Sequence, residues 1–136
     1  MGFCLYRLLV DFGLLILIWI VQFIIYPSFT HFSQEDLIEW HKKYTRLMGF
    51  IVAPLMIAQL VIYVISLFYE FSGLNIVTTL MVIATWVITF LQFVPMHSAI
   101  AKGQADDVIL KNLVQRNWVR TVLWSLLFMI GSFTCL

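Results

Sequence analysis

The sequence predicts an all-α fold, an integral-membrane antiparallel four-helix bundle with both termini on the extracytoplasmic side. Three observations carry this expectation. The 136 residues are 62% hydrophobic and 11% charged, with a mean hydropathy of +0.99. Soluble domains are about 45–50% apolar and about 25% charged, so the excess needs lipid around it and not water alone. Four stretches meet the ~20 apolar residues that a span requires. Seven cations, Lys42, Lys43, Arg46, Lys102, Lys111, Arg116 and Arg120, fall on one side of these stretches and only Arg7 on the other. The positive-inside rule then puts both long connections in the cytoplasm.

The whole chain reads as one domain with spans at about 5–26, 47–69, 75–94 and 113–135. The first apolar run is too long for a signal peptide, and no small-residue cleavage site follows it. Pro27 and Pro95 mark the expected ends of the first and third helices. Ser33-Gln34-Glu35-Asp36 has the pattern of a capping box, which starts the second helix near residue 34, well before its span. Its first turns place Trp40 and Tyr44 at headgroup level, with Lys42, Lys43 and Arg46 snorkelling. Gly103 breaks the chain between helices three and four, and Ala105-Asp106-Asp107 opens a second interfacial turn before helix four. Cys4 and Cys135 fall at opposite ends of the chain on the same side. They read as two unrelated buried thiols, or, if helices one and four are neighbours, as a pair in an oxidising periplasm.

Polar residues gather in stripes that lipid cannot satisfy, so they are expected to face inward. Trp19, Gln22 and Tyr26 share a face of helix one, with Asp11 close to it. His41, Tyr44, Met48 and Gln59 share one of helix two. Thr85, Thr89, Gln92 and Met96 align on helix three, and Asn117, Arg120, Thr121 and Trp124 on helix four. An up-down-up-down bundle brings Tyr26, His41, Tyr44, His97, Asn117 and Arg120 to the cytoplasmic end. The opposite end offers little beyond Arg7, Asp11, Glu70 and Asn75. An intramembrane arginine calls for a partner or a task, which Glu39 or a bound anion would supply to Arg120. Asp11 has a local partner in Arg7, four residues earlier. His31 reads as a surface residue, and Phe12, Phe23, Phe90 and Phe93 as packing.

Two imidazoles, an arginine, a tyrosine and an amide on different helices can bind an anion, coordinate a metal or move protons. His41 and His97 are the metal or haem candidates, but two histidines without a ligand-spacing motif leave a zinc site short. The net charge of +1 and the lack of any nucleic-acid module exclude nucleic acid as a partner. Membrane lipid and a lipophilic small molecule remain, with room for a homo-oligomer. The expected setting is a bacterial inner membrane.

Met96-His97-Ser98-Ala99-Ile100-Ala101-Lys102-Gly103 after a proline, and Asn117-Trp118-Val119-Arg120-Thr121 opening helix four, resemble the anthrone-oxygenase-like family of small four-helix membrane proteins. His97 stands where that family has Asn, and Ile100 where it has Leu. Tyr26-Pro27, Glu39-Trp40-His41, Tyr44 and Ala53-Pro54-Leu55-Met56 are similar to other bacterial four-helix proteins. They are also similar to the membrane-bound protoporphyrinogen oxidases, whose helix-one histidine is missing here. The first resemblance implies oxidation of a planar, hydrophobic aromatic by molecular oxygen without a conventional cofactor.

The expected function is therefore a membrane oxidoreductase or oxygenase acting on an aromatic or quinone-like molecule. His41 or His97 serves as base, Arg120 and Asn117 hold a phenolate or enolate oxygen, and Tyr44 orients the substrate. Tyr26, Glu39, Gln92 and Trp118 complete the expected pocket. A haem- or metal-binding electron carrier and a non-catalytic assembly or lipid-interacting subunit are the alternatives.

Overall fold

A computed structural model describes residues 2–136. Four helices, long and apolar enough to cross a membrane, account for nearly all of it: α1 (Phe3–His31), α2 (Gln34–Tyr69), α3 (Gly73–Ala101) and α4 (Asp107–Cys135). Helix α1 lies between α4 and α2, α2 packs on α3, and α3 returns to α4, so the four close a ring. The side chains are distributed as in a protein solvated by lipid. Phe23, Ile24, Phe50 and Leu91 are 61–73% exposed, whereas Arg7, Asp11, Gln22, His41, Gln59, Asn117 and Arg120 are buried. These features point to an integral membrane protein.

The helix starts follow the expected chemistry. Ser33 Oγ accepts from Asp36 N–H at 3.2 Å and donates to the Asp36 carboxylate at 2.7 Å, closing the expected cap. Asp106 accepts from Ile109 N–H at 2.9 Å as the cap of α4. Gly103 turns the chain with φ +71°, and an added Cβ would stand 3.0 Å from Ile38 Cδ1. Glycine is required there on both counts.

The prolines do not end their helices. α1 runs through Pro27 and α3 through Pro95, each after a π-helical turn, Val21–Ile25 and Thr89–Phe93. Tyr26 N–H reaches Val21 O, and Val94 N–H reaches Thr89 O. These wider turns release a carbonyl near each proline ring, which cannot donate to the ladder, and let the helix continue. The inserted residue also rotates everything beyond it. On α3 the inward row becomes Thr85, Thr89, Phe93 and His97, and no longer passes through Gln92 and Met96.

Cys4 and Cys135 are bonded to each other, with Cα atoms 5.5 Å apart. The reading of two unrelated thiols is thus corrected, because α1 and α4 are close neighbours along their lengths and their distal ends meet. Phe12, Phe23 and Phe90 are 49–61% exposed and clothe the lipid face, while Phe93 alone of that set is in the core.

Candidate functional site

The side chains that the two π turns and the ring of helices bring together form one hydrogen-bonded network. Arg120 on α4 is its centre. Nε and Nη2 donate to Asn117 Oδ1 at 3.0 and 2.6 Å, Nη2 also to Tyr26 OH at 3.1 Å, and Nη1 to Thr89 Oγ1 at 3.3 Å. The guanidinium carbon lies 3.5 Å from the centre of the Phe93 ring, a cation–π contact. Asn117 is fixed by Gln22, whose Oε1 accepts from Asn117 Nδ2 at 2.9 Å and from Thr121 Oγ1 at 3.1 Å. Gln22 Nε2 donates to the Val114 carbonyl at 3.1 Å.

From Tyr26 the network continues to the imidazoles. Tyr26 OH is 3.0 Å from His97 Nε2, and His97 Nδ1 is 2.7 Å from His41 Nε2. Arg120 can only donate, so Tyr26 accepts from it and has its own proton for His97 Nε2. His97 then carries its proton on Nδ1 and donates to His41 Nε2, which leaves the proton of His41 on Nδ1. That Nδ1 is one of three buried side-chain nitrogens with no partner among the described residues. Tyr26, His97 and His41 thus form a three-member relay ending in a free donor.

The donor set does not suit a metal as it stands. The facing imidazole nitrogens share one proton across 2.7 Å, whereas a metal needs a bare lone pair from each at about 2.0–2.1 Å. No group of three or more His, Cys, Asp or Glu side chains among the described residues could hold a metal ion.

Beside the network is a cleft of about 330 Å³, within the range of about 300–1,000 Å³ typical of small-molecule sites. Leu17, Ile18, Val21, Met48 and Val52 give it apolar walls, and Tyr26, Tyr44, Thr89, His97 and Arg120 give it a polar floor. Two of its lining residues, Gly49 on α2 and Val94 on α3, are exposed and mark a lateral opening toward the bilayer. A Cβ added at Gly49 would meet nothing within 4 Å.

Tyr26, His41, Tyr44, His97, Asn117 and Arg120 therefore converge as the sequence indicates, though in unequal roles. Tyr26, Tyr44, His97 and Arg120 face the cleft; His41 stands behind His97, and Asn117 holds Arg120 instead of lining the cleft. Three expected residues do not join them. Glu39 is exposed, two positions from His41 and so on the opposite side of α2. Gln92 is half-buried and turned aside by the π turn. Trp118 is 40% exposed and packs edge-on against Trp19 and Phe23, centroids 5.8 and 5.7 Å away.

Arg120 is consequently a buried cation with no ion pair among the described residues; the one ion pair there joins Arg7 to Asp11. Four of its five N–H groups are engaged by neutral partners, leaving one on Nη1.

A second network, which sequence reasoning missed, occupies the far end. Asp11 accepts from Tyr63 OH at 2.6 Å and from Gln59 Nε2 at 2.7 Å, and Gln59 Oε1 accepts from Trp124 Nε1 at 3.0 Å. Tyr63 continues the His41–Gln59 stripe at four-residue spacing, and that spacing was the available signal.

The fold and this site together define a small helical membrane protein with a ligand-sized cleft over a polar floor. No family model, curated protein or solved structure matches the chain.

Proposed function

We propose that the chain is a small integral membrane oxidoreductase that oxidises a hydrophobic aromatic hydroquinone in the Arg120 cleft. It would sit in a bacterial inner membrane with its helices antiparallel, both termini outside and the cleft at the cytoplasmic end. The observation that carries the reading is the buried Arg120, which has no carboxylate partner among the described residues and borders an apolar cleft. A buried charge without a counterion is costly, and an acidic oxygen on a lipophilic ligand offsets that cost.

The relay supplies the proton path. A substrate hydroxyl gives its proton to Tyr26 as Tyr26 passes its own to His97 Nε2 and His97 Nδ1–H moves to His41 Nε2. The substrate oxygen is left as an anion beside Arg120, whose remaining N–H stabilises it. Two electrons and the second hydroxyl proton then pass to molecular oxygen, and the first proton returns from His41. Quinone and hydrogen peroxide are the products. Tyr44 borders the substrate from α2, and Asn117 positions Arg120. The likeness of the Met96–Gly103 and Asn117–Thr121 segments to the anthrone-oxygenase-like proteins favours the same class of substrate and oxidant.

Gly49→Phe tests access. The backbone tolerates the change, but the ring closes the opening between α2 and α3, so kcat/KM for a naphthohydroquinone falls about tenfold or more while thermal stability is kept. Unchanged turnover in that variant, or no turnover of naphthohydroquinones by the wild type, rejects the reading. For orientation, a C-terminal reporter active only outside the cytoplasm gives signal; activity of a cytoplasm-only reporter reverses the topology.

A further inference from the structure

The far end of the bundle holds a second hollow that the redox reading does not use. Arg7 is 7% exposed, and its Nε donates to Tyr63 OH at 3.1 Å. Asp11 Oδ2 stands 3.9 Å from that same Nε, and both Asp11 oxygens are already taken by Tyr63 and Gln59. The carboxylate therefore meets the Nε edge and does not fork onto the terminal nitrogens. Neither Nη1 nor Nη2 makes a hydrogen bond among the described residues, and Nη2 is enclosed. Donors buried without acceptors need an outside partner.

Arg7 lines a hollow of about 320 Å³, next to the Cys4–Cys135 bond. Ser72, the cap of α3, and Leu74 and Asn75 in its first turn form another wall. Ser72 Oγ caps the Asn75 N–H at 3.3 Å, and the helix N-terminus still presents its first two N–H groups and a partial positive charge at that wall. Two independent features thus favour a negative group in one place. Glu70 also lines the hollow, is exposed and makes no ion pair among the described residues, so a positive group is favoured at the rim. Around it Phe3, Phe68, Tyr69 and Phe71 are 39–86% exposed, as aromatics are at a membrane–water boundary.

We propose that this hollow binds the headgroup of a phosphatidylethanolamine, with the phosphate on Arg7 and the α3 N-terminus and the ammonium on Glu70. A free phosphate satisfies the arginine but is repelled by Glu70. A choline headgroup cannot donate a hydrogen bond to that carboxylate.

Thermal unfolding of the purified chain in dodecyl maltoside micelles doped with phosphatidylethanolamine, phosphatidylglycerol or phosphatidylcholine tests this. The ethanolamine lipid raises the wild-type Tm most, and inorganic phosphate alone leaves it unchanged. Glu70→Gln weakens the apparent affinity for the ethanolamine lipid about tenfold and levels the three lipids. Arg7→Gln removes the shift. Thr134→Trp, an exposed rim position, fills the hollow with Arg7 intact and also removes the shift, so the test stands even if Arg7→Gln fails to fold. Equal wild-type shifts with all three lipids, a full shift in Thr134→Trp, or a shift reproduced by inorganic phosphate overturns the proposal.

Discussion

On the proposed function, Arg120→Leu is expected to lose turnover and binding of the aromatic substrate by about 10²–10³-fold, the usual cost of removing a donor that stabilises a developing oxyanion. The substitution also leaves Asn117 Oδ1 without the two donors it now has at 3.0 and 2.6 Å. A stranded buried acceptor costs about 1–3 kcal/mol of stability. The loss of function therefore exceeds what the loss of stability explains, because the variant remains largely folded in detergent. Arg120→Lys does not restore function. An ammonium cannot span Asn117, Tyr26 and Thr89 at once, and the alignment of Tyr26 toward His97 goes with them. Turnover and thermal unfolding measured on one preparation separate the two effects. Full activity in Arg120→Leu contradicts the assigned role.

Asp11→Leu has the largest expected effect on stability, a loss of about 3–5 kcal/mol, as is usual when one member of a buried ion pair is removed. Arg7 keeps its charge with no counterion, and Tyr63 OH and Gln59 Nε2 lose the acceptor that each holds within 2.7 Å. Trp124 feels the change through Gln59, to which it donates at 3.0 Å. Arg7→Met in the same chain recovers much of the loss, because it removes the stranded charge. Unfolding of the single and double variants, taken as a cycle, measures the coupling. Additive effects of the two substitutions refute an ion pair that matters to folding.

The sequence made the four helices legible because lipid solvation leaves an unmistakable composition, and capping chemistry at Ser33 located the start of α2 to the residue. Depth was legible too: Tyr26, His41, His97, Asn117 and Arg120 had to meet if the helices alternate in direction. Rotation was less so. A proline reads as a stop, and nothing local in Val21–Ile25 or Thr89–Phe93 announces a π turn, so Gln92 was placed inward where Phe93 and His97 belong. Glu39 was the natural partner for Arg120 by charge alone, yet its two-residue offset from His41 already put it on the outer face. The Cys4–Cys135 pairing depended on which helices are neighbours, a tertiary fact that no local pattern carries. The inward stripe of helix two stops at Gln59 in the sequence reading, although Tyr63 lies one turn further along it and its hydroxyl meets Asp11.

On the proposed function, the cleft beside Arg120 takes a lipophilic oxygen-bearing aromatic. Trp124 borders that cleft, so its fluorescence reports occupancy, and quinones quench indole emission on contact. Titrating the detergent-solubilised chain with a naphthoquinone should give saturable quenching in the wild type that is lost in both Trp124→Phe and Arg120→Leu. Saturable quenching of equal strength in Arg120→Leu, or only linear collisional quenching in the wild type, would contradict the account.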